Sequence, residues 1–298
     1  MLGTASVLLL TAWTAIGIQG DSHGRPRDCE DLIQQDNIYE GHYIVYPDNS
    51  VPSKASIIYC SRDDGMEALP SEIAEREIVR NCLDLQEDGK NSSGLGIIYP
   101  YLDNPVTPVL VLCDQDTDGG GWTVIQSRYD GTEDFYKSWT EYVNGFGDPN
   151  GEVYIGNAII SALTEQTTNE LRVDLTDWKD KTAYAQYQDF RVDAQNDYMM
   201  SAGLYHGTAG DSLFSEYSET REANFSTFDA DHDLYPDVNC AEELRHGGWW
   251  YMDCGDSNLN GLYYPIAGIG PPWDGIYWYT WGWYDSLQSS KMMIRPLF

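Results

Sequence analysis

The chain has 298 residues, of which 17 are Lys or Arg and 48 are Asp or Glu, for a formal net charge of −31. A surface this acidic repels nucleic acid and anionic membranes, which argues against both as partners, and it suits divalent cations and basic ligands. Ten Trp and 22 Tyr, within an aromatic content of 13%, argue against a disordered chain and for a packed core.

Residues 1–20 read as a secretory signal peptide. Val7-Leu8-Leu9-Leu10 and Ala12-Trp13 are apolar, no charged side chain precedes Asp21, and small residues near Gly20 suit a signal peptidase. Thr11, Thr14 and Gly17 interrupt the run, which is too short to span a bilayer. No later stretch is long and apolar enough to insert in a membrane. The mature protein is expected to be secreted and extracellular.

Six cysteines follow: Cys29, Cys60, Cys82, Cys113, Cys240 and Cys254. An even number behind a leader predicts disulfides, and no C-x-x-C pair supports a zinc ribbon or a redox motif. An internal repeat narrows the pairing. Cys29, Asp31-Leu32, Gly41, Ile44-Val45-Tyr46-Pro47 and Cys60 recur as Cys82, Asp84-Leu85, Gly94, Ile97-Ile98-Tyr99-Pro100 and Cys113, each offset by 53 residues. One disulfide per copy, Cys29–Cys60 and Cys82–Cys113, is the simplest reading, and it leaves Cys240–Cys254. The first copy ends without the strand-like continuation of the second, so residues 21–75 form a partial N-terminal repeat. Ser71 as an N-cap, with Ile73 and Val79 among charges, predicts a linker helix at its end. The main domain then runs over 76–298.

Within it, Thr123-Val124-Ile125-Gln126, the run from Glu170 to Leu175 and the run from Tyr184 to Val192 read as strands of a half-solvated antiparallel sheet. Trp139 to Val143 and Asn157 to Leu163 read as short helices. After about residue 200 regular periodicity fades into Gly, Asp, Asn, Pro and aromatics, a loop-rich part that needs a disulfide or a metal as a staple. Sequons at Asn91 and Asn224 mark candidate glycosylation sites.

The segment from Cys113-Asp114 through Thr117-Asp118-Gly119-Gly120-Gly121-Trp122 resembles the signature of fibrinogen C-terminal-like domains. So do Ser138-Trp139, Asn144-Gly145-Phe146-Gly147, Gly151-Glu152, Asp177-Trp178, Asn239-Cys240-Ala241, Gly248-Trp249-Trp250-Tyr251 and Ser257-Asn258-Leu259-Asn260-Gly261, all in order from about Cys82 to the C-terminus. The resemblance implies an α+β fold with a central twisted antiparallel sheet and a loop-rich C-terminal part that binds calcium and ligand.

Asp229, Asp231 and Asp233 alternate, as oxygen ligands do when a loop wraps a hard cation, but Leu234 and Cys240 stand where an EF-hand needs Gly and Glu. The resemblance assigns Ca2+ to the side chains of Asp231 and Asp233, with backbone carbonyls near Tyr235 and Asp237. It also implies a ligand pocket at Glu243, Gly255, Trp273 and Trp283, with Tyr279 and Asp274 nearby. Relatives of this family place a His at the Gly255 position and an aromatic near Leu244. Trp278 and Trp281 read as core.

Gly210-Asp211-Ser212-Leu213 and Asp229-Ala230-Asp231-His232 imitate the nucleophile and base blocks of a lipase-like hydrolase. The spacing and the absence of a parallel sheet oppose that reading, and no enzyme is expected. Two functions remain: a calcium-stabilised, lectin-like pattern-recognition protein, or a protein-binding extracellular ligand or matrix component. No Gly-X-Y repeat or heptad is present, so oligomerisation would fall to the N-terminal repeat.

Overall fold

The computed structural model describes residues 26–33, 41–45, 55–61, 78–102, 107–214, 221–266 and 273–297. The expected signal peptide and all but the end of the expected linker helix lie outside the described residues. Among the described residues no helix is long and apolar enough to cross a membrane.

The repeat seen in the sequence is a repeat of structure. Helix α1 (Cys29–Ile33) and strands β1 (Gly41–Val45) and β2 (Ser56–Cys60) form the first copy. Helix α2 (Cys82–Glu87) and strands β3 (Gly94–Ile98) and β4 (Val109–Asp114) form the second. The hairpins share one register, with Gly41 opposite Cys60 and Gly94 opposite Cys113. Asn81 caps α2 by accepting from the Leu83 and Asp84 amides, and Asp28 does the same for Asp31 in α1. The disulfides pair as the repeat predicts, Cys29–Cys60, Cys82–Cys113 and Cys240–Cys254, with Cα atoms 5.7, 5.5 and 5.2 Å apart. Each copy packs differently. A Cβ on Gly96 would lie 2.6 Å from Leu85 Cδ1, whereas the matching Tyr43 fills the same space in the first copy and packs with Leu32, Val45 and Cys60.

The body follows as β5 (Trp122–Arg128), α3 (Trp139–Asn144), β6 (Phe146–Gly147), β7 (Val153–Tyr154), α4 (Asn157–Gln166), β8 (Asn169–Thr176), β9 (Thr182–Asp193), β10 (Met199–Ser201), β11 (Tyr205–Gly207) and β12 (Glu222–Ser226). A short π-helical turn (Cys240–Leu244) leads to β13 (Trp249–Tyr251), β14 (Ser257–Asn258), β15 (Tyr277–Trp278), α5 (Tyr279–Gly282) and β16 (Ser289–Pro296). The main path of the sheet runs β13-β12-β10-β9-β8-β16-β5-β4-β3. Its pairings are antiparallel, as the α+β expectation requires.

Helix α3 starts on a capping box, in which Ser138 and Glu141 satisfy each other's backbone amides. Helix α4 lies against β9, tied by the Val192 amide donating to Thr164 Oγ1 at 3.1 Å. Ile160, Leu171, Val173, Tyr142, Phe225, Trp249 and Trp250 are buried in one core. The region after residue 200 is less irregular than its sequence suggests. It supplies several short strands, and β16 enters the middle of the sheet between β5 and β8.

Candidate functional site

The C-terminal part carries two neighbouring features, an acidic loop and an aromatic face, stapled by Cys240–Cys254. The loop leaves β12 through a turn in which Thr227 and Ala230 bond each other's backbone. Asp229 is committed to structure: its Oδ1 accepts from the Trp139 amide at 2.8 Å and from Thr227 Oγ1 at 2.7 Å. Asp231 Oδ1 accepts from the Asp233 amide at 3.2 Å. Asp233 in turn accepts from the amides of Tyr235 and Cys240, both at 2.8 Å. Burial, and the neighbouring Asp231 charge as well, raise the Asp233 carboxyl above its ordinary value in spite of those two donors.

Two carboxylates held this close are the donor chemistry a hard cation needs, and each Asp233 oxygen keeps a second lone pair. Asp237 turns the loop with φ 64°, and Tyr235 and Asp237 are both exposed. Among the described residues no group of three or more His, Cys, Asp or Glu side chains is placed to hold a metal. A calcium ion here would therefore take the Asp231 and Asp233 side chains and draw its other oxygens from backbone and water.

The aromatic face is built on Arg245, which is 8% exposed. Its Nε donates to the Cys254 carbonyl at 2.9 Å and its Nη1 to the Trp273 carbonyl at 3.3 Å, and its guanidinium faces the Tyr277 ring at 5.3 Å. The Tyr277 hydroxyl donates to the Gly255 carbonyl at 3.1 Å. Tyr284 joins the rest, with ring centroids 5.5 Å from Trp273, 5.3 Å from Tyr277 and 5.1 Å from Tyr279, and Tyr279 meets Trp283 at 5.5 Å. Trp273 and Trp283 are 41% and 71% exposed, and both have left-handed backbones, φ 72° and 56°. Bulky side chains in that region cost energy and persist only where their surroundings hold them.

Of the expected pocket residues, Trp273 meets both Arg245 and Tyr284, Gly255 accepts from Tyr277, and Trp283 joins the cluster through Tyr279. Glu243 lies exposed on the π-helical turn. Gly255 has φ 64°, and a Cβ there would meet only the Ser257 backbone, at 3.7 Å. Asp274 is not available to a basic ligand: it is 5% exposed and both its oxygens accept from the Tyr264 hydroxyl. Trp278 is fully buried, with its Nε1 donating to the Gly210 carbonyl, and Trp281 packs on the core, as does Leu244. Arg245, Tyr277 and Tyr284 escaped the sequence reading. A lone cation five residues after Cys240, in a chain so short of bases, was the signal.

The hydrolase-like residues are engaged elsewhere. Ser212 is 1% exposed, shares a 2.8 Å hydrogen bond with Thr280 Oγ1 and accepts from the Thr280 amide. His232 Nδ1 lies 3.0 Å from the Phe225 carbonyl, with its ring edge-on to Trp139. Among the described residues no hydrogen bond joins Ser212, Asp229 and His232. Of the sequons, Asn91 is exposed, while Asn224 is half-buried in β12 with its Nδ2 donating to the His232 carbonyl at 3.4 Å.

Residues 78–297 match the family model for the C-terminal globular domain of fibrinogen beta and gamma chains. The chain belongs to the fibrinogen C-terminal domain family. Human fibrinogen-like protein 1 is 42% identical over 246 residues, which cover 78% of this chain and 77% of that protein. Human angiopoietin-4 is 40% identical over 76% of this chain, but only 44% of its own length is covered. The fibrinogen-like globe domain of human ANGPTL2 superposes with a TM-score of 0.68 at 40% identity, covering 73% of this chain and 99% of that one. Lamprey fibrin D-dimer, complexed with the peptide Gly-His-Arg-Pro-amide, superposes with a TM-score of 0.66 at 31% identity, covering 79% and 80%. The fibrinogen-like fold thus accounts for the body, while residues 26–61 lie outside the family match.

Proposed function

We propose that this chain is a secreted, non-enzymatic recognition protein that binds a basic segment of an extracellular protein on the Trp273–Trp283 face. The observation that carries the reading is the display of two tryptophans, in strained backbone conformations, on a framework fixed by Arg245 and Tyr284. Exposed aromatics on a rigid base make large contacts at low entropic cost. The net charge of −31 supports a basic partner. The peptide bound by lamprey fibrin is itself basic, which supports a peptide ligand for this fibrinogen-like domain.

Calcium, held by Asp231 and Asp233, would fix the loop that runs into Cys240 and so steady the face. A lectin-like reading uses the same aromatics, but Gly255 offers no side chain to shape an acetyl pocket.

The test is immobilised protein challenged with Gly-His-Arg-Pro-amide, with charge-reversed acidic peptides and with an array of N-acetylated glycans, each in calcium and in chelator. Retention of the basic peptide, weakened in Trp283→Ala while the melting temperature holds, is expected. Retention of N-acetylated glycans alone would make the protein a lectin, and silence to every probe would end the reading.

A further inference from the structure

The N-terminal repeat is a duplicate that has changed its contact face. At matching register positions the body hairpin carries a cross-strand Leu95/Leu112 pair and the first hairpin carries His42/Tyr59. Leu112 packs on the buried Trp122, Val124 and Met293 beneath the sheet. The first hairpin keeps an apolar pair on that face only at Ile44/Ile57, carries a polar one at the position of Leu95/Leu112, and docks elsewhere. Its β1 lies against β3, the last strand on the path of the main sheet, without joining the ladder. The His42 ring meets Tyr59 edge-on at 5.0 Å and Tyr99 at 5.9 Å, and Nδ1 lies 3.0 Å from the Tyr99 hydroxyl. Tyr99, one residue beyond β3, is 1% exposed.

An apolar pair replaced by a titratable one makes a contact that can be switched. The hairpin is held together without the body, by its disulfide and by the packing of Leu32, Tyr43, Val45 and Cys60. It can therefore leave β3 without unfolding. An uncovered terminal strand presents unpaired backbone groups to other chains, and proteins commonly cover such edges.

We propose that the N-terminal repeat is a releasable cap on the β3 edge of the fibrinogen-like domain, latched by His42 against Tyr99 and opened by acid. The groups facing the imidazole are Tyr59 from β2 and Tyr99 from the end of β3. Among the described residues no ion pair involves His42 and no carboxylate is placed to favour its charged form. Burial lowers the His42 pKa from its ordinary 6.5, and burial raises the Tyr99 phenol, which stays protonated. A histidine whose pKa is depressed on docking supports docking fully above its free value of about 6.5 and progressively less below it. The cap is closed at neutral pH and weakens in mildly acidic compartments.

Hydrogen exchange on the full-length protein tests this, with rates corrected for intrinsic pH dependence. Between pH 7.5 and pH 5.5, exchange in residues 41–45 and 94–99 is expected to rise several-fold in the wild type, with a larger radius of gyration by solution scattering. His42→Gln keeps a hydrogen-bonding group but cannot be protonated in this range, and it should hold both segments protected at either pH. Tyr99→Phe should raise exchange in both segments at pH 7.5 while leaving residues 169–176 unchanged. Equal acid responses in wild type and His42→Gln, or none in the wild type, would overturn the latch.

Discussion

Arg128 and Glu152 form a wholly buried ion pair, with Nε 3.7 Å from Oε1 and side chains 1% and 0% exposed. Glu152 Oε1 also accepts from the amides of Tyr129, Asp130 and Gly131, and Oε2 accepts from the amide of Glu133. Arg128 donates through Nη1 to the carbonyls of Leu259 and Gly261 and lies over the Phe135 ring at 3.9 Å. One carboxylate therefore winds a whole loop about itself, and its cation ties that loop to the C-terminal region. Burial brings the Arg128 pKa down to about 10, opposed by Glu152, so the guanidinium stays charged throughout the physiological range.

Removing either partner strands a buried charge. Arg128→Leu and Glu152→Ala should each destabilise the fibrinogen-like domain by about 3–5 kcal/mol. Equilibrium denaturation in urea measures it. A loss near zero in both variants would mean that water or a repositioned neighbour compensates.

A second carboxylate sets the acid limit. Asp114 accepts from Lys291 Nζ at 2.5 Å, from Thr117 Oγ1 at 2.8 Å and from the Thr117 amide at 2.9 Å. Burial pushes this carboxyl up, but the bonds from Lys291 and Thr117 outweigh it and bring it from 3.8 to about 2. A depressed carboxyl stabilises the fold above its unfolded pKa, and that contribution is lost as pH falls through the folded value. Asp114→Asn should cost about 1–2 kcal/mol at pH 7, a figure discounted for partial exposure. The gap to wild type should narrow between pH 4 and pH 2. A gap that stays constant across urea titrations at pH 7, 4 and 2 would rule the ionised pair out as its source.

Much of this architecture is legible in the sequence, because its signals are local. The 53-residue offset exposes the duplication, and with it two of three disulfides. The alternation in 170–175 and 184–192 marks β8 and β9. Strand β16 is not legible: Ser289-Ser290-Lys291-Met292-Met293-Ile294 has no clean period of two, because the strand lies between β5 and β8 and its register shifts at Met292/Met293. Arg128 carries no local signal of burial, and Glu152 is legible only as part of the Gly151-Glu152 signature, because their pairing is made by tertiary contacts. The aromatic face was found only in part, since Tyr284 is one Tyr among 22 and its role as a hub comes from tertiary contacts.

The two copies of the repeat should unfold separately. Cys29→Ser with Cys60→Ser removes a bond that contributes about 2–4 kcal/mol, from a unit whose buried core comprises four hydrophobic residues among the described ones. That variant should lose order in residues 29–60 and leave the main melting transition in place. Cys82→Ser with Cys113→Ser should instead lower the main transition, because Cys82 and Cys113 pack in the principal core and the Cys82 amide donates to Thr123 Oγ1. Calorimetry of both variants, with exchange mapping of the first, decides this. A single transition shifted equally by both would show that the copies unfold together.

Ser212 offers the sharpest contrast between a catalytic and a structural serine. Its hydroxyl joins the loop after β11 to α5 through Thr280, whose own Oγ1 continues to the Ala209 carbonyl at 2.8 Å. Ser212→Ala removes the acceptor of the Thr280 amide and should cost about 1–3 kcal/mol, the range for a buried polar group left without its partner. Thr280→Ala should destabilise by a similar amount, and the double variant should cost less than the sum of the two because the same chain is broken only once. Hydrolysis of a short-chain p-nitrophenyl ester should proceed at the same background rate with wild type and Ser212→Ala. A rate above background that vanishes in Ser212→Ala, with the fold intact, would restore the hydrolase reading.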